Sequence, residues 1–307
     1  MMQSHPVPHP WVAALFNAHA PLALPLTAPV QPLYTLTAPV YRAAKEACAA
    51  LGFIDADAEC VAQAWQRQTD RTGHFDPAVW PSAAEDFGML PIARAHAFAA
   101  CPQRLGLYAV LPDAAWVARM AQAGVPTVQL RFKSDDPVAI ESEVRAAVKA
   151  VEGTPALLFI NDHWQAALRA GAYGVHLGQE DLDTADIQAL RAAGMRLGIS
   201  SHGYAEMLRA DAHSPSYIAL GAVFPTTLKR MATPPQGAAR LAAYVRLMHA
   251  YPLVAIGGID PGNLPQILET GVGSVAMVRA LVAAPQPELI AAHVQTLLQA
   301  AAPCGTM

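Results

Sequence analysis

The sequence predicts an α/β chain: a (β/α)8 barrel preceded by a small, mostly helical N-terminal extension. Three observations predict it. After residue 104, short β-rich runs alternate with amphipathic segments, the texture of βα repetition. Eight such units fit into roughly 200 residues, whereas an open doubly wound sheet more commonly shows about five or six strands. Polar residues also concentrate where the runs end, on the face of a barrel that carries chemistry.

Composition bounds the answer first. A chain of 307 residues, 53% hydrophobic and 14% charged, is too long and too apolar for a disordered tail. A formal charge of −4 with scattered Lys and Arg gives no basic field for a polyphosphate backbone, which argues against nucleic acid. Residues 11–30 are apolar, but Asn17, His19, Pro21, Pro25 and Pro29 interrupt them and no Lys or Arg precedes them. They therefore read as neither a membrane span nor a signal peptide. Cys48, Cys60, Cys101 and Cys304 lie far apart without a CxxC pair, as expected of a cytoplasmic enzyme in a reduced compartment.

Residues 1–103 form the extension. Its proline-dense start reads as extended or mobile chain. Helical patterns follow over 40–51, stopped by Gly52, and over 57–68 behind an acidic cap, with a third short helix over 91–100. The aromatics Trp65, Phe75, Trp80 and Phe87 are too apolar for a solvated linker, so this stretch packs against something.

Residues 104–302 form the barrel. The predicted strands are 107–111, 127–131, 156–160, 174–177, 196–200, 217–220, 253–256 and 274–277, with helical segments such as 114–123, 140–151 and 184–193 between them. Arg131 and Lys133 leave the second strand at alternate positions, so both side chains fall on one side of the pleat and can converge on one anion. Lys229 adds a third cation from the sixth strand's loop, which suggests a phosphorylated substrate. Asp162 and Asp181 each precede a helix, and capping is their ordinary explanation. They also end successive strands, however, and one or two carboxylates plus substrate phosphates is the usual protein share of a Mg²⁺ site. The Mg²⁺ reading is preferred. Gly257-Gly258, with Asn263 where a helix begins, can bring backbone N–H groups close to a phosphate, and barrel phosphate sites frequently follow strands seven and eight. His176, inside a strand run, reads as a hydrogen-bonded interior residue. His202 has no partner at triad spacing, so a hydrolase is not expected.

Taken in order, these strand ends resemble thiamine-phosphate synthase, also called thiamine-phosphate pyrophosphorylase. The residues that carry the resemblance are Gln129-Leu-Arg131-Phe-Lys133, Asn161-Asp162, residues 174–181, residues 198–202, Pro225-Thr226 with Lys229, and residues 255–259 with Asn263. The resemblance implies condensation of 4-amino-5-hydroxymethyl-2-methylpyrimidine diphosphate with 4-methyl-5-(2-phosphoethyl)thiazole, in which the diphosphate leaves first and the thiazole nitrogen captures the cation. It places Gln129, Arg131, Lys133, Asn161 and Lys229 around the diphosphate, Ser200 near the leaving group, and Mg²⁺ on Asp162 and Asp181. Arg131, Lys133, Ser200 and Lys229 would be the catalytic groups. Thr226 and Gly258, with backbone near Val278, would hold the thiazole phosphate, and a homodimer is a family-level expectation.

Two positions depart from the family pattern. The family's Thr-x-Thr-Lys reads Thr226-Thr227-Leu228-Lys229 here, removing one hydroxyl, and Arg279 stands where a small residue is common. The alternatives are a thiazole tautomerase, for which His202 could move the proton, and a non-catalytic sensor of thiamine phosphate. The full diphosphate-binding set favours the synthase over the tautomerase.

Overall fold

The computed structural model describes residues 10–26, 31–90, 94–226 and 233–301. They divide into two units, residues 1–91 with 203–208, and residues 92–202 with 209–307.

The second unit is the barrel. Strands β1 (Gly106–Leu111), β2 (Thr127–Leu130), β3 (Leu157–Asn161), β4 (Gly174–Leu177), β5 (Arg196–Ser201), β6 (Tyr217–Leu220), β7 (Leu253–Ala255) and β8 (Ser274–Met277) pair in chain order. Every pair is parallel, and β8 returns to β1 with Gly106 beside Ser274. All eight predicted runs are strands, with ends shifted by a few residues at most. Strands covered on both faces read as near-continuous apolar runs, which is why these segments show little alternation. Inside, Tyr108, Val110, Phe159, Tyr217, Ala219, Val254 and Ala276 fill the barrel. Gly198 makes this possible, since a Cβ there would lie 2.1 Å from Cζ of Tyr217.

The outer helices start where the sequence supplies caps. Asp113 accepts a hydrogen bond from Trp116 N at the head of Ala114–Gln122, and Asp136 accepts one from Val138 N ahead of Pro137–Ala150. Each such cap is worth about 1 kcal/mol. The helix expected over 184–193 is shorter, Ile187–Ala192, because Asp186 is its cap.

Of the third short helix expected over 91–100, the described part is not helical. Residues 91–93 lie outside the described residues, and 94–100 run as a turn and irregular chain. Their polar groups are used elsewhere in the barrel unit. Arg94 forms a buried pair with Asp211 at 2.9 Å, and Phe98 N donates to Ser214 O, so the i to i−4 ladder has lost its groups.

In the first unit the helices are Pro10–Ala18, Pro39–Ala50 and Asp55–Thr72. The first corrects the reading of the N-terminal span as extended chain. Proline at the start of a helix costs no hydrogen bond, and the apolar run behind Pro10 buries Leu15 completely. The predicted aromatics are largely packed. Trp65, Trp80 and Phe87 are buried, Trp80 lies edge-on to Trp65 and donates its Nε1–H to Tyr204 Oη at 2.8 Å, and Phe75 lies against Trp11. The acidic cap expected ahead of the 57–68 helix is absent, since that helix begins earlier, after Ile54, with no side-chain cap. Cys48, Cys60 and Cys101 are free thiols, and Cys304 lies outside the described residues. No described helix is long and apolar enough to cross a membrane.

Candidate active site

The strand ends of the barrel surround one cavity of about 690 Å³. Gln129, Arg131, Lys133, Asn161, Asp162, Asp181, Ser200, Thr226, Gly258, Val278 and Arg279 all line it, as do His176 and His202. Lys229, with Thr227 and Leu228, lies outside the described residues.

Strand register explains the first group. Arg131 N donates to Leu111 O at 2.7 Å, carrying the β1–β2 ladder one residue past β2. Gln129, Arg131 and Lys133 therefore keep the alternation that puts them on one side. The loop holding the two cations is tied down by His163, whose Nε2–H donates to Phe132 O at 2.9 Å.

Neither carboxylate caps an α-helix. The helix after β3 begins behind His163 without a side-chain cap, and the α-helix after β4 is capped by Asp186. Asp162 has φ 60°, a left-handed conformation uncommon for residues other than glycine. It is held there by Asp162 N to His176 O at 3.1 Å and Trp164 N to Asp162 O at 2.7 Å. Asp181 Oδ2 accepts from Gly178 N at 2.9 Å. The Asp162 carboxyl is raised above the ordinary range, by desolvation in the concave wall and by the adjacent Asp181 carboxylate, with Arg131 opposing. Because Asp162 is exposed to solvent at the rim, the repulsion is the stronger physical ground. Two crowded carboxylates offering only oxygen donors suit Mg²⁺, with the remaining positions left to water and phosphate. Among the described residues no group of three or more His, Cys, Asp or Glu gathers as a metal cluster.

On the opposite wall, Gly257 and Gly258 follow β7 with φ 106° and 64°. A Cβ on Gly258 would lie 2.6 Å from Pro225 O, so the two loops touch backbone to backbone. Asn263 does not cap the helix it precedes. Its Nδ2 donates to Gly258 O at 2.9 Å and its Oδ1 accepts from Asp260 N at 3.0 Å, clamping the diglycine turn. Arg279 is exposed at the rim, and its guanidinium makes no hydrogen bond or ion pair to the described residues.

Sequence reasoning passed over Tyr108 and Tyr217. Both are buried in the barrel with their phenols pushed up by desolvation, and both join the polar chain that reaches the cavity through His176 and Ser200. Their signal was a tyrosine at an inward-facing position of a strand that is otherwise apolar.

The family described as Thiamine monophosphate synthase matches residues 107–281, more than half of the chain and all of the cavity lining but Ala283. The chain belongs to the thiamine monophosphate synthase family. Among its relatives, the thiamine-phosphate synthase of Neisseria meningitidis serogroup A is 53% identical over 193 residues, covering 63% of this chain and 94% of that one. That of Cronobacter sakazakii is 53% identical over 188 residues, covering 61% and 90%. A solved thiamine phosphate pyrophosphorylase from Pyrococcus furiosus superposes with a TM-score of 0.58 at 26% identity, over 65% of this chain and 98% of its own. The family region thus spans all eight strands but the first residue of β1, and leaves residues 1–106 outside it.

Proposed function

We propose that this member of the thiamine monophosphate synthase family condenses hydroxymethylpyrimidine diphosphate with thiazole phosphate, giving thiamine phosphate and pyrophosphate. The observation that supports it best is the convergence of Arg131, Lys133, Asn161, Asp162, Asp181 and Ser200 on one wall of a cavity whose other wall carries Thr226, Gly258 and Arg279. One wall suits a diphosphate and the other a monophosphate.

The pyrimidine's C–O bond breaks and the bonding pair leaves with the diphosphate. Arg131 and Lys133 meet the charge as it grows, and cations aimed at a developing anion in a partly dry site are most valuable there. The thiazole nitrogen then forms the C–N bond with its own lone pair, so no general base is needed. Asp162 and Asp181 would hold Mg²⁺, which would neutralise diphosphate charge when bound. Isomerisation of a thiazole alone would leave the cations and both carboxylates without a task. Incubating both substrates with Mg²⁺ and following thiamine phosphate by chromatography tests the proposal, and no product under these conditions would overturn it.

Arg279 gives this chain its own feature. Its guanidinium can grip a phosphate in two places, and it would make up for the hydroxyl that the sequence lacks at Leu228. Arg279→Ala is expected to lower kcat/KM for thiazole phosphate by about 1.5–3 kcal/mol, roughly 10- to 150-fold, with little change for the pyrimidine diphosphate. Leu228→Thr in that background should recover part of the loss. Varying each substrate in turn is the measurement, and equal losses for both would make the arginine structural.

A further inference from the structure

The barrel core contains an unbroken polar chain. Gln129 Nε2 lies 3.2 Å from Tyr108 Oη, Tyr108 Oη 2.7 Å from Tyr217 Oη, Tyr217 Oη 2.7 Å from His176 Nδ1, and His176 Nε2 2.7 Å from Ser200 Oγ. We infer that this chain runs in one direction and fixes Ser200 as a hydrogen-bond donor into the cavity, with Tyr108, Tyr217 and His176 as its positioning residues.

The direction follows from counting protons. An amide NH₂ can only donate, so Gln129 makes Tyr108 an acceptor. The Tyr108 proton then goes to Tyr217, since the reverse order would leave a phenol proton unused at a fully buried site, at a cost comparable to a lost hydrogen bond. Tyr217 in turn donates to His176 Nδ1. A neutral imidazole that accepts at Nδ1 carries its proton at Nε2, so His176 donates to Ser200 Oγ. The serine's own proton is left for the cavity that Ser200 lines. Burial raises both phenols, which keeps one proton on each link. The strand end is also held, because Gln179 Nε2 donates to Ser200 O at 2.7 Å.

Direction matters to the chemistry. A hydroxyl that donates stabilises negative charge gathering on a departing group, whereas the same oxygen presenting lone pairs would oppose it. An unrestrained serine rotor would sample both. The kinetic part of this inference rests on the proposed reaction, but the direction of the chain does not.

The test uses the ¹⁵N-labelled full chain. A long-range ¹H–¹⁵N spectrum near neutral pH, with His176 assigned by its loss in His176→Gln, should show a neutral ring protonated at Nε2. In Tyr217→Phe the donor to Nδ1 is gone, so both tautomers should appear, and kcat should fall about tenfold, less than the roughly 100-fold or more expected when a direct donor is deleted. KM for the pyrimidine diphosphate should change by less than about twofold. A wild-type ring protonated at Nδ1 would overturn the inference by itself, even if Tyr217→Phe failed to fold. So would a folded Tyr217→Phe with unchanged tautomer and kcat. Failure of the wild type to make thiamine phosphate would count against the proposed reaction, and the spectrum would still decide the chain's direction.

Discussion

Replacing Asp162 or Asp181 with alanine is expected to lower kcat/KM by roughly 30- to 1000-fold, about 2–4 kcal/mol of transition-state stabilisation. The two act as one unit, because the Asp181 carboxylate raises the cost of ionising Asp162. The double variant should therefore lose much less than the sum of the single losses. Mg²⁺ titrations of each variant are the measurement, with EDTA expected to abolish turnover in the wild type. Full activity in EDTA, or wild-type rates for both single variants, would sink the assignment. The same pair predicts a stability effect with a definite sign. A carboxyl raised in the folded state binds its proton more tightly there than in the unfolded chain. Its stabilising contribution is thus present at low pH and disappears as pH rises through the raised value. Near neutral pH the metal-free fold carries an unrelieved repulsion, so Mg²⁺ should raise the melting temperature of the wild type and do so less in Asp162→Asn.

A comparable loss, this time of stability, is expected from Lys45→Ala in the N-terminal unit. Lys45 is fully buried, with Nζ 2.7 Å from Glu59 Oε2 and 3.0 Å from Asp55 Oδ1. Glu59 also accepts from Tyr41 Oη and Gln63 Nε2. Removing one member of such a pair leaves the other charge uncompensated, and about 3 kcal/mol of destabilisation is expected. Replacing both, as Lys45→Met with Glu59→Gln, should cost much less. Urea melts followed by tryptophan fluorescence separate the cases, and a single variant as stable as the double would refute the pairing. Acid should act through the same group. Burial alone would raise the Glu59 carboxyl, but hydrogen bonds from Lys45, Thr35, Tyr41 and Gln63 hold it down to about 2. A depressed folded value means stability that is complete above the ordinary carboxylate range near 4.3 and is lost as pH falls from there towards about 2.

Much of the barrel was legible because parallel strands buried on both faces leave compact apolar runs, and polar residues at their ends are the exception to that pattern. The positions of Arg131, Lys133, Asp162 and Asp181 around one mouth follow from the strand order alone. What could not be read were features set by distant contacts. The segment after residue 94 has helical composition, but Arg94 meets Asp211, more than a hundred residues later, and the chain follows that pair. The helix at Pro10–Ala18 was hidden by prolines whose density suggested open chain, although Pro10 sits where a helix tolerates it. Tyr108 and Tyr217 were passed over, because nothing local indicates that two phenols will meet across a barrel. Capping stayed an ordinary alternative for Asp162, because the left-handed turn that redirects it leaves no mark on composition.

The pairing of β8 with β1, sealed by Ser274 Oγ accepting from Leu105 N and Gly106 N at 2.8 and 3.2 Å, has a consequence for how the protein is made. The two strands that close the ring are separated by most of the domain, so during synthesis β1 waits with an unpaired edge until residues 274–277 leave the ribosome. At about 5–20 residues per second that wait lasts on the order of ten seconds or more. Throughout it the nascent sheet presents hydrogen-bonding groups that another chain could capture. Closure is therefore a late event of high contact order, and crowded expression should penalise variants that weaken the β8–β1 seam more heavily than their equilibrium stability would suggest.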